Sequence, residues 1–179
     1  MMVDPALSLP LAWFLGGILV FAAMHKLRHR AEFGMTLEGY AMVPRSLIPI
    51  ATVLLALIEL LAAAALVIPT MMQLGAAMAA LLFAAYGLAM AAAIMRGRAG
   101  IDCGCTFGNR SDPLGWMTIV RNIALTAAAA CVALPTSRAP AWPDIVSSAI
   151  AGGALLLILH SVRAALANRE RIRVLKGAY

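Results

Sequence analysis

The chain alternates long apolar runs with short polar connectors, and the runs have the length of membrane helices. About 20 apolar residues in a helix cross a hydrocarbon core. Five segments meet that length: residues 6–24, 47–68, 72–95, 114–134 and 145–166. The first stops at His25-Lys26-Leu27-Arg28-His29-Arg30. Pro69 ends the second, and Pro113 and Pro135 bracket the fourth, as expected of a residue that disrupts helix interiors. The fifth carries Ser147, Ser148, His160 and Arg163, so a helix lying in the interface is its alternative reading. The pattern predicts an all-α membrane protein, a bundle of about five transmembrane helices arranged as a four-helix core plus one. Residues 1–179 read as a single integral membrane domain with a basic tail over 167–179.

Composition agrees with this picture. The chain is 63% hydrophobic and 12% charged, whereas about a quarter of a soluble domain is charged. No stretch remains for a separate soluble domain. The first run is not a cleavable signal peptide, because its positive cluster follows the apolar core instead of preceding it.

The net charge of +6 would suggest nucleic acid in a soluble protein. Here its distribution matters more. The first connector has Lys26, Arg28, Arg30 and Arg45; the third has Arg96, Arg98 and Arg110. The tail region carries Arg163, Arg169, Arg171, Arg173 and Lys176, while the second connector has no Lys or Arg and the fourth only Arg138. Cytoplasmic loops are enriched in Lys and Arg. This predicts an N terminus outside, a C terminus in the cytoplasm, and the third connector on the cytoplasmic side.

That third connector holds the chain's most reactive-looking run, Asp102-Cys103-Gly104-Cys105. Three cysteines are too few for a disulfide-stapled fold, and their spacing lacks the further Cys or His partners of a zinc site. A disulfide between Cys103 and Cys105 would span one residue, near the upper limit of Cα separation, with Gly104 supplying backbone freedom. Such a ring is strained, and strained disulfides exchange readily. Arg96, Arg98 and Arg110 would favour a thiolate, and Asp102 could move protons during exchange. Two inert thiols, with arginines that only anchor the loop, are the alternative. Cys131 lies about 17 residues into the fourth span, roughly 25 Å from its start. It reads as a packing residue near the opposite face.

Ionisable residues within spans face the bundle interior and find partners. Glu59 sits mid-span, and Arg121 with Asn122 beside it lies about two turns into the fourth run. A Glu59–Arg121 pair is the expected arrangement; a protonated Glu59 bonded to neighbouring helices is the alternative. His25 and Lys26 read as interfacial, and Tyr86 and His160 as core groups with local hydrogen bonds. The eleven methionines are scattered, and soft apolar filling accounts for them better than Cu(I) ligation does.

The chain resembles the MauE branch of the MauE/DoxX-like membrane proteins. The matching residues are His25-Lys26-Leu27, Phe33, Tyr40, Pro44, Glu59, Arg96-Gly97-Arg98, the Asp102–Cys105 run with Phe107-Gly108, and Arg121-Asn122. Thr106 departs from the pattern by separating Cys105 from Phe107. The resemblance implies a protein of the bacterial inner membrane that serves maturation of the methylamine dehydrogenase small subunit. It also implies a thioredoxin-like periplasmic partner, with Cys103 and Cys105 as catalytic residues. Asp102, Gly104, Arg98, Glu59, Arg121 and Asn122 support them in this reading. The sequence demands no bound cofactor. Alternatives are a quinone-linked thiol oxidoreductase, whose mark would be a lipid-lined cavity touching Arg121 or Tyr86 and the cysteine loop, a non-enzymatic assembly factor, and a Cu(I)-handling protein.

Overall fold

The computed structural model describes residues 2–98 and 115–176. Six α-helices occupy most of them: α1 (Pro5–Arg28), α2 (Arg30–Tyr40), α3 (Ile48–Val67), α4 (Met72–Met95), α5 (Trp116–Val132) and α6 (Trp142–Lys176). α1, the stretch Arg45–Val67 that contains α3, α4, and the Trp142–Val162 part of α6 are each long and apolar enough to cross a membrane. α5 is shorter, at 17 residues, or roughly 25 Å of helix. The fifth run forms a long apolar helix, and α6 continues through most of the basic tail.

α1 is the hub. It packs on α3, α5 and α6, while α3 packs on α4 and α4 on α5. The helices α1, α3, α4 and α5 thus close a four-membered ring, with α6 laid against the outside of α1. The interior seam is rich in alanine: Ala12, Ala56, Ala62, Ala76, Ala79 and Ala129 are completely or almost completely buried. Leu15, Leu19, Leu66 and Phe83 fill the space between them. Small residues let helix backbones approach closely where lipid removes the hydrophobic driving force. Outward, Leu57, Leu61, Leu81, Leu88, Ile123 and Leu157 are exposed. An apolar exterior of this extent requires a bilayer to cover it. The chain is a multi-pass membrane protein.

One end of the bundle is stitched by the N-terminal segment and the α5–α6 connector. Asp4 accepts a hydrogen bond from the Ala6 backbone N–H at 2.8 Å, capping α1, and Pro5 opens the helix where an N–H is dispensable. Val3 donates to the Pro135 carbonyl at 3.0 Å and accepts from Ser137 at 2.9 Å. Arg138 grips Asp144 at the start of α6 through two bonds of 2.6 and 2.9 Å. The opposite end collects Lys26, Arg28, Arg30, Arg45, Arg96 and Arg98, and is called the basic end below.

A close contact with backbone forms where α3 turns into α4. A Cβ added at Gly75 would lie 2.5 Å from the Leu66 nitrogen and 2.7 Å from the Ala65 carbonyl carbon. Those atoms are backbone and cannot yield. Gly153 of α6 has nothing within 4 Å of such a Cβ. Gly75→Ala is expected to destabilise the bundle by about 1–3 kcal/mol, the range for overpacking. Gly153→Ala should stay near the native stability. Thermal unfolding of the purified variants checks the contrast, and equal behaviour would count against the α3–α4 packing.

Candidate functional site

A buried ion pair lies inside the bundle. Lys26 Nζ donates to Glu59 Oε1 at 2.7 Å, and both side chains are fully buried. Tyr86 of α4 donates its hydroxyl to the same oxygen at 2.8 Å. Three helices therefore meet on one carboxylate oxygen. The ammonium also stands 5.0 Å from the Phe33 ring centroid and 5.3 Å from that of Tyr86, where ring faces attract a cation. Glu59 Oε2 is buried with no hydrogen-bond partner among the described residues.

The sequence pointed to Arg121 as the partner of Glu59 and to Lys26 as interfacial. The structure assigns Lys26 to Glu59 instead. The physical reason is that α1 does not stop at Met24 but continues to Arg28. Its buried stripe runs Ser8, Ala12, Leu15, Leu19, Ala23, Lys26, at the spacing of one helix face. Lys26 is the next inward position of that stripe. On α3 the stripe Thr52, Ala56, Glu59, Ala63, Leu66 is buried in the same way. The two charges sit on facing seams.

α2 covers the pair from the basic end. It places Phe33, Thr36 and Tyr40 against the bundle, and Tyr40 joins Met90, Ala93 and Ile119 in a second apolar cluster. Arg98 ties α4 to this cover by donating to the Gly39 carbonyl at 2.7 Å, and a cation suits a helix C-terminus. It is held there by the way α4 ends. Gly97 has φ +73, the left-handed residue of a Schellman cap. Its N–H bonds Ile94 O at 2.9 Å, and the Arg98 N–H bonds Ala93 O at 3.0 Å. The run Arg96-Gly97-Arg98 is thus a helix stop that aims an arginine.

Below this cover is a cavity of about 100 Å³, and of about 570 Å³ when its open mouth is counted. Glu59, Tyr86, Arg121 and Asn122 form its polar wall. Phe14, Ile18, Phe83, Leu125 and Leu159 supply the apolar one. Asn122 is buried and donates to the Thr118 carbonyl at 2.8 Å, with Met90 Sδ of α4 at 3.5 Å. Arg121 is half-buried beside it.

Asp102, Cys103, Gly104, Cys105 and Arg110 lie outside the described residues. Their segment joins α4 to α5, whose connected ends both belong to the basic end. Glu59, Arg121 and Asn122 are brought to one cavity, while Arg98 serves the α2 cover. Two expectations are corrected. Cys131 is exposed on the outside of α5 and packs in no core, although it does lie in the last turn of that helix. His160 is exposed on α6, because that helix offers α1 a narrow face and the rest of it points outward. Tyr86 is a partly buried hydrogen-bonding group as expected, but its partner comes from another helix. Among the described residues no group of three His, Cys, Asp or Glu is placed to hold a metal ion.

Apolar helices around a buried Lys–Glu–Tyr cluster, with a two-cysteine connector joining α4 to α5, define a multi-pass membrane protein with ionisable groups in its core. The chain belongs to the family of the methylamine utilisation protein MauE, whose family model matches residues 4–135. It is 30% identical to the methylamine utilization protein MauE of Paracoccus denitrificans over 162 residues, 89% of this chain and 87% of that one. It is 32% identical to the protein of that name from Methylorubrum extorquens over the same shares of the two chains. Identity to the Methylophilus methylotrophus protein of that name is 29% over 183 residues, 99% of this chain and 96% of that one. No solved structure matches the chain.

The buried pair yields a test of stability. Removing one partner leaves a charge without compensation in a dry interior, which costs about 3–5 kcal/mol. Lys26→Met and Glu59→Gln should each lower stability on that scale. The double variant should lose much less than the sum, because contacting residues are not additive. Additive losses in a double-mutant cycle would show that the two side chains do not interact.

Proposed function

We propose that the chain is an accessory membrane protein of methylamine utilisation whose chemistry is thiol–disulfide exchange at Cys103 and Cys105. The observation that carries the reading is the Asp102-Cys103-Gly104-Cys105 run in a MauE-family chain, placed in the connector between α4 and α5. The buried cluster and its cavity occupy the bundle that this connector belongs to. In the proposed exchange, a thiolate of the pair attacks a partner disulfide. A mixed disulfide forms and one partner sulfur leaves as thiolate. The second cysteine then attacks the mixed disulfide, closing Cys103–Cys105 and releasing the partner as a dithiol. The reverse sequence oxidises the partner. Two electrons and two protons change hands in either direction.

The partner in this reading is a thioredoxin-like periplasmic protein, and the final client is the small subunit of methylamine dehydrogenase. The membrane is the bacterial inner membrane. The excess of Lys and Arg at the basic end supports a reading with that end in the cytoplasm, the C terminus inside and the N terminus outside. Electrons exchanged with a periplasmic client would then have to cross the bundle or pass to a mobile carrier.

Cys103→Ser, Cys105→Ser and the double variant are expected to abolish maturation of the periplasmic client while leaving membrane insertion and folding intact. Cys131→Ser should be nearly neutral. The measurement is dehydrogenase formation in cells carrying each variant as the only copy. Normal maturation with the double variant would replace the redox reading by that of an assembly factor.

Orientation has its own test. A phosphatase reporter fused after Lys176 should be inactive, and a cytoplasmic reporter at the same place active. The opposite pattern would invert the topology.

A further inference from the structure

Glu59 presents an unusual demand. One carboxylate oxygen receives both Lys26 and Tyr86, while the other is buried and unpartnered. A buried acceptor without a donor is costly, so this oxygen calls for a donor that the described residues do not supply. Glu59 also lines the cavity, opposite a wall of Phe14, Ile18, Phe83 and Leu125. Few polar groups set in a mostly apolar cavity are the mark of a small-molecule site.

The size is informative. A cavity of about 150 Å³ lined by apolar side chains holds a benzene ring. The cavity here measures about 100 Å³ on the same scale, and its atom-free space, open solvent at the mouth included, is about 570 Å³. The inner space is smaller than a ring requires, so a ring would sit partly in the open mouth, with its hydroxyl directed inward and any tail leaving toward lipid. Phe14, Leu125 and Leu159 on that wall are half-buried and belong to the apolar helices α1, α5 and α6, so the approach is through lipid. The ligand chemistry that fits is a lipid-soluble ring with a hydroxyl donor.

We infer that the cavity between α1, α3, α4, α5 and α6 binds the hydroxylated ring of a membrane quinol, with its O–H donated to Glu59 Oε2. Tyr86, Arg121 and Asn122 complete the polar end of the site. The binding site stands on the cavity alone. Its use as an electron exchange site rests on the thiol–disulfide reading. There the accounts balance: closing a dithiol to a disulfide releases two electrons and two protons, and a quinone takes up two of each to become a quinol. A lipid-soluble carrier also answers the separation between a cysteine connector at the basic end and a client on the other side.

The test uses the full-length protein in lipid nanodiscs and labelled decylubiquinol under reducing, anaerobic conditions. Saturable binding of one quinol per chain above that of empty nanodiscs is expected. Decylbenzene, a ring with the same tail and no hydroxyl, should bind at least about tenfold more weakly, the ratio for a hydrogen bond to a charged group. Ala22→Phe on α1 and Leu125→Trp on α5 fill the cavity from two sides, so binding should fall at least about tenfold in whichever of them keeps the native helix content. No saturable binding, equal binding of decylbenzene, or native binding in a folded cavity-filling variant would each overturn the proposal. Thiol exchange is assayed on the same samples. Lost ring binding with intact exchange sinks the quinol site alone, and intact ring binding with no exchange sinks the dithiol reading alone.

Discussion

The ion pair between Lys26 and Glu59 is the constraint around which this bundle is arranged. Moving two charges out of water costs several kcal/mol per ion after relaxation, and a bilayer makes the alternative of solvation remote. The protein answers with close geometry at 2.7 Å, a second donor from Tyr86 and two aromatic faces over the ammonium. Each answer recruits another element. α1 brings the lysine, α3 the carboxylate, α4 the tyrosine and α2 the Phe33 lid. A buried pair is weak evidence for stability, since apolar residues of similar volume often serve as well. Its retention here makes sense if the carboxylate has work beyond holding helices together. Among the described residues its second oxygen has no hydrogen-bond partner, and Glu59 borders the cavity.

The remaining features set the conditions for that site. An alanine-rich seam and Gly75 bring helices close enough for one oxygen to be reached from two neighbours. The Schellman stop of α4 at Gly97 fixes where the cysteine connector begins and turns Arg98 back onto α2. Asn122 and Arg121 begin the wall on the α5 side, just after that connector ends. At the other end, Arg138 links Asp4 at the start of α1 to Asp144 at the start of α6.

Much of this was legible in the residues. The apolar runs located four helices long and apolar enough to cross a membrane and one shorter apolar helix, and α6 proved more regular than its serines suggested. Glu59 and Asn122 stood out because polar groups are expensive in lipid. The partner of Glu59 was misread because hydropathy reports depth and not rotation. Lys26 belongs to a basic cluster by depth, yet continues the inward stripe of Leu15 and Leu19 by rotation. Extending that stripe past the apolar run would have found it. α2 was hidden for a related reason. Its inward face is only Phe33, Thr36 and Tyr40 within a polar stretch, so it gives little periodic signal until a bundle is present to pack against. The cavity left no trace in the sequence, since it is made by residues from five helices. The family resemblance read from the cysteine run and Arg121-Asn122 agrees with the family match over residues 4–135.

The central claim is that this bundle exists to hold an exchanging pair of cysteines, and trapping the exchange tests it most directly. With one cysteine of the pair replaced, the mixed disulfide cannot be resolved. Cells carrying Cys105→Ala or Cys103→Ala should yield, after acid quenching and non-reducing separation, a covalent adduct with a thioredoxin-like protein. It should disappear on reduction and be absent from the double variant. If neither single variant forms a reducible adduct under conditions that preserve disulfides, the chain does not work by thiol exchange.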